Sequence, residues 1–333
     1  MNIRRTAIVG AGGWGTALAV LWSKQGNEIT LWGHDPARTE KIRALRENPD
    51  YLPGVRLPES IRVTSHIADC ADADLVVFVT PSIALRAVAK QLRDSLSGSK
   101  VVLLSGTKGI EHGTGMRMSE ILEEIFPQNT VAVISGPNLA VEVSRDLPTA
   151  TVLGCPVAEC AEELQRRLGS ERFRIYSSDE TIGIELGGAL KNVFAIPAGV
   201  SDGFGLGDNS KAALVTRSLA ELLRLGTAMG GNPRTFYGLS GAGDLIATCF
   251  SQHSRNRRVG EKLGRGETLE QILSGTHTVA EGIPTSKSAY ECARKLGVET
   301  PIIDQIYSVL YEGKRPDQAM QELLGRDQKA ERV

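Results

Sequence analysis

One short run constrains this chain more than any other: Gly10-Ala11-Gly12-Gly13-Trp14-Gly15. The pattern Gly-x-Gly-x-x-Gly is unspecific by itself. Here the strand-like Ala7-Ile8-Val9 precedes it, and a helical stretch over 16–25 follows. In a strand–turn–helix setting each glycine has a reason. Gly10 permits the tight turn, Gly12 lets the backbone approach a pyrophosphate, and Gly15 lets the helix lie close to the strand. The helix N-terminus adds N–H groups and partial positive charge for phosphates.

The rest of the first half fits that start. Apolar, β-branched runs recur at 6–9, 28–31, 75–79, 101–105, 131–134 and 149–153, with helical stretches such as 83–95 between them. This alternation predicts a mostly parallel sheet covered by helices on both faces. From about residue 185 helical patterns take over, at 211–225, 255–263, 285–296 and 304–311. The expected fold is α/β. An N-terminal Rossmann-like dinucleotide-binding domain spans 1–184, and an all-α domain for substrate binding and catalysis spans 185–333. The polar end, 325–333, is expected to be loose.

Composition excludes several classes. Lys plus Arg is 38 and Asp plus Glu 39, so the net charge of −1 gives no general basic surface for nucleic acid. Five cysteines, an odd number without a Cys-x-x-Cys pair, argue against a disulfide framework or a zinc site and fit a reducing cytoplasm. The five histidines form no metal motif. No apolar run reaches the roughly 20 residues that span a bilayer. The chain starts straight into a strand-like run, without the apolar region of a signal peptide.

Candidate ligand residues stand at the ends of the predicted strands, where open α/β sheets bind ligands. After the second strand come His34, Asp35 and Arg38. The acid suits a ribose 2′-hydroxyl and the two basic groups a 2′-phosphate, so NADH and NADPH both stay open. Ser105-Gly106-Thr107-Lys108-Gly109 carries a lysine, and Ser135-Gly136-Pro137-Asn138-Leu139-Ala140 carries a proline suited to a first helical turn. In Gly187-Gly188-Ala189-Leu190-Lys191-Asn192, small residues leave room for a close neighbour such as the cofactor domain. A lysine desolvated there, near another cation, becomes a proton donor or acceptor near neutral pH. Asp244 follows two glycines. Ser254 suits an N-cap with Arg255 and Asn256 in the first helical turn, a phosphate receptor that is otherwise unfavourable for arginine.

Taken together, these segments resemble bacterial-type NAD(P)-dependent glycerol-3-phosphate dehydrogenases from Ile8 to about Ile306. The signatures are GAGGWGTALA at 10–19, LWGHD at 31–35, FVTPS at 78–82, SGTKGIE at 105–111, SGPNLAVEV at 135–143, GALKNVFAIPAG at 188–199, LSGAGDLIATC at 239–249, SRNRRVG at 254–260 and AEG at 280–282. The resemblance implies reversible reduction of dihydroxyacetone phosphate to sn-glycerol 3-phosphate with NADPH or NADH, for glycerophospholipid synthesis. It implies Lys191 as general acid/base on the C2 oxygen. Lys108, Gly136, Asn138, Lys191, Asp244, Ser254, Arg255 and Asn256 match substrate positions. Asn138 stands where many relatives carry a hydroxyl residue. Asp244 matches an acid that orients either a substrate hydroxyl or the Lys191 ammonium. Gly10, Gly12, Gly13, Trp14, Gly15, His34, Lys108, Ala140, Arg255, Val279 and Glu281 match cofactor positions. The site lies between the two domains in the family, and a homodimer is compatible with it. Two rivals remain at this point: a related two-domain 3-hydroxyacid dehydrogenase, and a dinucleotide-sensing regulator without turnover.

Overall fold

The structure is a computed structural model, and it describes residues 3–96, 101–275, 279–327 and 330. Part of the polar end 325–333 therefore lies outside the described residues. The chain divides into two compact units. The first is Met1–Lys108 with Met116–Glu185, and the second is Gly109–Gly115 with Leu186–Val333. The short return of Gly109–Gly115 to the second unit is not signalled by any composition change. It is fixed locally: His112 Nδ1 stands 3.1 Å from Glu291 Oε2.

In the first unit the strands are β1 (Arg5–Val9), β2 (Glu28–Trp32), β3 (Glu47–Asn48), β4 (Leu52–Arg56), β5 (Arg62–Thr64), β6 (Leu75–Phe78), β7 (Val102–Ser105), β8 (Val131–Ser135), β9 (Thr149–Gly154) and β10 (Phe173–Ser178). Eight form one sheet in the order β10-β9-β8-β7-β6-β1-β2-β5, and β3 with β4 makes a small antiparallel hairpin. Every pairing in the large sheet is parallel except β8 with β9. All six sequence-predicted strands are present, whereas β3, β4, β5 and β10 were not expected.

The central strands are apolar on both faces because both faces are covered. Ile8, Leu75, Val77, Val102 and Leu104 enter one core cluster, and Ala7, Val9, Val76, Phe78 and Leu103 enter the other. The period of two divides each strand between the clusters. On the first face, Trp22 Nε1 donates to the Leu168 carbonyl at 3.1 Å, tying the Gly13–Ser23 helix to the Ala158–Leu168 helix. The chain runs from β1 outward through β2, then returns to β6 on the other side of β1. The reversal sets the carboxyl ends of β1 and β6 side by side, the usual ligand position in such sheets.

In the second unit, described residues form helices and no strand. The Ile182–Gly203 helix carries Pro197 in its interior, and its residues 183–201 are all buried. Its neighbour, the Arg255–Gly264 helix, crosses it at glycines. A Cβ on Gly199 would stand 1.9 Å from the Arg257 carbonyl oxygen, and one on Gly260 would stand 1.8 Å from that of Ile196. Side chains at those points would force the two backbones apart. No described helix is long and apolar enough to cross a membrane.

Glu221, buried in the Gly207–Ala228 helix, accepts N–H bonds from Ile302 at 2.9 Å and Ile303 at 2.8 Å. It thereby caps the Pro301–Tyr311 helix. Burial pushes its carboxyl from the usual 4.5 up to about 7, against the pull of those N–H groups and Arg224. The folded state holds a proton that the unfolded chain has already released in this window. The contribution is therefore full below about 4.5 and is lost as pH rises through about 7. We expect the melting temperature of the wild type, relative to Glu221→Gln, to decline across that window by the equivalent of roughly a few kcal/mol at most. A difference that stays flat with pH would refute the raised carboxyl.

Candidate active site

The glycine turn after β1 divides its work as the spacing predicts. Gly10 has φ +131°, and a Cβ there would stand 2.7 Å from the Val79 carbonyl oxygen, just past β6. A Cβ on Gly15 would fall 1.9 Å from the Gly10 carbonyl oxygen. Gly12, the N-cap residue, is different: a Cβ there would meet nothing within 4 Å. Two glycines thus serve packing, and the third borders open space beside the helix N-terminus. That helix has no side-chain cap and no acid in its first turn, so its end favours an anion. Open space at Gly12, a helix end without a side-chain cap and a first turn without an acid together fit the phosphates of a dinucleotide.

Other first-unit candidates gather around this turn. Trp14 Nε1 lies 3.4 Å from where a Cβ of Gly106, beyond β7, would stand, and the Ala140 methyl lies 3.9 Å from the corresponding point on Gly13. Sequence reasoning missed the support. Asn48 Nδ2, from β3, donates to the Ala11 carbonyl at 3.0 Å and to Thr16 Oγ1 at 2.8 Å. The turn sequence Asn48-Pro49-Asp50-Tyr51 was the available signal for that hairpin.

Past β2, His34 is exposed and Asp35 is the N-cap of the Pro36–Leu45 helix. One Asp35 oxygen accepts from the N–H groups of Ala37 and Arg38 at 2.9 and 3.1 Å, and the Arg38 bond chiefly holds the carboxyl below its ordinary range. Arg38 Nη1 donates to Tyr51 Oη at 2.7 Å, while its Nε lies 3.5 Å from Asp50. Tyr51, also absent from the sequence reading, thus holds the guanidinium that stands at this strand end.

Lys108 Nζ donates to the Gly136 carbonyl at 3.1 Å, joining the loops past β7 and β8. Asn138 turns toward the sheet: its Nδ2 donates to Ala150 O at 3.3 Å and its Oδ1 accepts from Thr151 at 2.9 Å. The expectation of Pro137 in a first helical turn is corrected. The helix begins at Ala140 with Leu139 as N-cap, and the Asn138 N–H instead closes a tight turn on Gly136 O at 2.8 Å. The close neighbour expected at this stretch is, at Gly187, Ser240 of the helical unit, whose carbonyl oxygen would be 2.7 Å from a Gly187 Cβ.

In the second unit, Lys191 is buried, and its ammonium donates to Asp244 Oδ1 at 2.8 Å and to Thr248 Oγ1 at 2.6 Å. Thr248 donates in turn to the same Asp244 oxygen at 3.1 Å. Of the two roles left open for Asp244, the structure displays the one toward Lys191. A π-helical turn, Leu239–Gly243, closed by a bond from the Gly243 N–H to Gly238 O at 3.1 Å, delivers Asp244 to the Asp244–Phe250 helix. Such turns recur at functional sites. Thr248 was not singled out from sequence; Asp244-x-x-x-Thr248, one helix turn apart, was its signal.

A second network adjoins the first. Asn256 Nδ2 donates to Asn192 Oδ1 at 2.9 Å, and Asn256 Oδ1 accepts the Gly282 N–H at 2.9 Å. Ser254 caps the Arg255–Gly264 helix by accepting the Arg257 N–H at 3.2 Å, as predicted. Arg255 at the first helical position is exposed. Val279 is also exposed, and Glu281 is the N-cap of the Gly282–Leu296 helix. The described residues hold no group of three or more metal-ligating side chains. Chemically, the helical unit offers a buried ammonium for proton transfer and a helix N-terminus with arginine for a phosphate.

Comparison with known proteins points to one family. Family models described as the N-terminus and the C-terminus of NAD-dependent glycerol-3-phosphate dehydrogenase match residues 5–161 and 180–321. The chain is 48% identical to a glycerol-3-phosphate dehydrogenase (NAD(P)+) of Syntrophotalea carbinolica, over 99% of each chain. It is 45% identical to that of Chlorobium limicola, over 98% of each. The crystal structure of glycerol-3-phosphate dehydrogenase from Coxiella burnetii matches with a TM-score of 0.94 at 37% identity, covering 97% of this chain and 99% of that one.

The glycine turn yields a paired prediction. Gly12→Ala should leave the melting temperature within about 1 °C yet weaken dinucleotide binding by roughly tenfold or more, because the new methyl enters only ligand space. Gly15→Ala should lower the melting temperature by several degrees. Calorimetry and cofactor fluorescence titration read both; equal behaviour of the two variants would contradict the division.

Proposed function

The chain belongs to the NAD-dependent glycerol-3-phosphate dehydrogenase family, and from that premise we propose how its own residues carry out the reaction. The enzyme is an NAD(P)-dependent oxidoreductase that interconverts dihydroxyacetone phosphate and sn-glycerol 3-phosphate. The first-unit residues Gly10, Gly12, Gly13, Trp14, Gly15, His34, Lys108 and Ala140 would hold NAD(P)H, together with Arg255, Val279 and Glu281. Bound there, the cofactor supplies the hydride.

The remaining work falls to side chains. Lys191 protonates the substrate C2 oxygen in reduction and takes the proton back in oxidation. One observation carries this assignment: an ammonium that is buried yet held by Asp244 at 2.8 Å and Thr248 at 2.6 Å. The carboxylate compensates the charge while it is present, and the two acceptors aim the remaining N–H. Lys108, Gly136 and Asn138 contribute to binding from the first unit. Ser254, Arg255 and Asn256 bind the phosphate at the helix N-terminus. We place the enzyme in the cytoplasm, supplying glycerol phosphate for membrane lipids and free to form a homodimer.

Steady-state assays with dihydroxyacetone phosphate and each cofactor test the reading; no oxidation of either cofactor would overturn it. Lys191→Ala should lose roughly 10²-fold or more in kcat while keeping NADPH affinity, and activity within a few-fold of wild type would remove the lysine from this role. His34→Ala with Arg38→Ala should shift preference from NADPH toward NADH. An unchanged ratio of kcat/KM values would mean that the 2′-phosphate is read elsewhere.

A further inference from the structure

A second buried Lys–Asp pair lies in the helical unit and has no part in the chemistry above. Lys211 is only 6% exposed, and its ammonium donates to both oxygens of Asp202, at 2.9 and 2.8 Å. Arg257 Nε donates to Asp202 Oδ2 at 2.6 Å. Lys211 Nζ also stands 4.7 Å from the centre of the Phe250 ring. Buried Cys249 feels the charges of both lysines and both aspartates, and burial pushes its thiol up to about 12.

The members of this cluster come from the elements that carry the proposed site. Asp202 is near the end of the Ile182–Gly203 helix, which bears Lys191. Arg257 is in the first turn of the Arg255–Gly264 helix, and its N–H is the donor that Ser254 caps. Phe250 ends the helix that begins with Asp244 and contains Thr248. The glycine contacts at Gly199 and Gly260 let the first two helices approach, and the Asn256–Asn192 bond at 2.9 Å joins them beside Lys191. The charge-assisted bond from Arg257 to Asp202 is a second directional tie, further along the crossing, and the stronger of the two in kind.

We propose that Asp202 is a positioning residue for the phosphate-binding turn: through Arg257 it sets where Ser254, Arg255 and Asn256 stand relative to Lys191, and Lys211 holds the Asp202 carboxylate in place. This rests on the assignment of that turn to the substrate phosphate. Asp202 touches neither substrate nor cofactor in this scheme, so its effect should appear in recognition of the phosphate and not in proton transfer.

Two variants and two substrates test it. In Asp202→Asn the local charge becomes more positive, so simple electrostatics would lower KM for dihydroxyacetone phosphate. Loss of position would raise it, by about tenfold, which corresponds to about 1.4 kcal/mol. Rates with unphosphorylated dihydroxyacetone report Lys191 without the phosphate and should stay within about twofold. The variant leaves Lys211 without its full counter-charge and is at risk of unfolding. Arg257→Met keeps the Asp202–Lys211 pair intact and cuts only the link, so it should fold and show the same selective rise. A lowered or unchanged KM in Asp202→Asn, or an unchanged one in Arg257→Met, overturns the proposal, as does an equal loss on both substrates. A wild type that fails to turn over dihydroxyacetone phosphate overturns the underlying reading instead.

Discussion

Placing a lysine in the middle of a helix buried along most of its length is a demand that the whole helical unit has to meet. Removing an ammonium from water costs several kcal/mol even after relaxation, and a partner must offset it. Asp244 is that partner, at 2.8 Å. It comes from another element, because the helix carries no carboxylate within a turn of Lys191. The π-helical turn ending at Gly243 inserts the residue needed to bring the carboxylate round, and Gly187 lets that turn lie against the lysine helix. The stretch is thus glycine-rich for reasons of distance.

The first unit solves the converse problem. A dinucleotide brings negative charge to a turn, so the turn must present N–H groups and keep carboxylates away. Asp35 stays harmless because its charge is committed to the N–H groups of Ala37 and Arg38. The neighbouring Arg38 is braced by Tyr51 and Asp50 and remains at the strand end. An exposed His34 and a guanidinium with an acid beside it make a mixed setting, in keeping with a loop whose composition leaves NADH and NADPH open.

The degree to which sequence exposes these arrangements follows from how each element is buried. The central strands are apolar runs because both faces are covered, so all six could be read. Strand β10, FRIYSS, alternates buried with exposed residues at the sheet edge, and β5 has three residues; neither carries a strong pattern. The Ile182–Gly203 helix is not among the helical stretches legible in the sequence, and Gly187, Gly188 and Pro197 interrupt its pattern. They are tolerated there because tertiary packing outweighs propensity. Lys191, Asp244 and Arg255 stood out as charges in unusual local settings. Asn48, Tyr51 and Thr248 are ordinary polar residues whose importance comes from what lies across from them.

The two Lys–Asp pairs of the helical unit separate two requirements that one pair could not meet together. A proton-transferring lysine has to change charge, so its partner cannot be one on which the helix packing depends. Lys211 and Asp202 are free of that requirement and, with Arg257, tie the two helices together. On the role proposed for Lys191, its proton can leave and return while the Asp202 bonds still hold the frame. Cys249, which feels the charges of both pairs, is a thiol kept protonated by burial and adds no charge to either. On the proposed roles, the proton passed to C2 moves at the Lys191 nitrogen, while the turn that would bind the phosphate is held by the separate bonds of Asp202, Arg257 and Lys211.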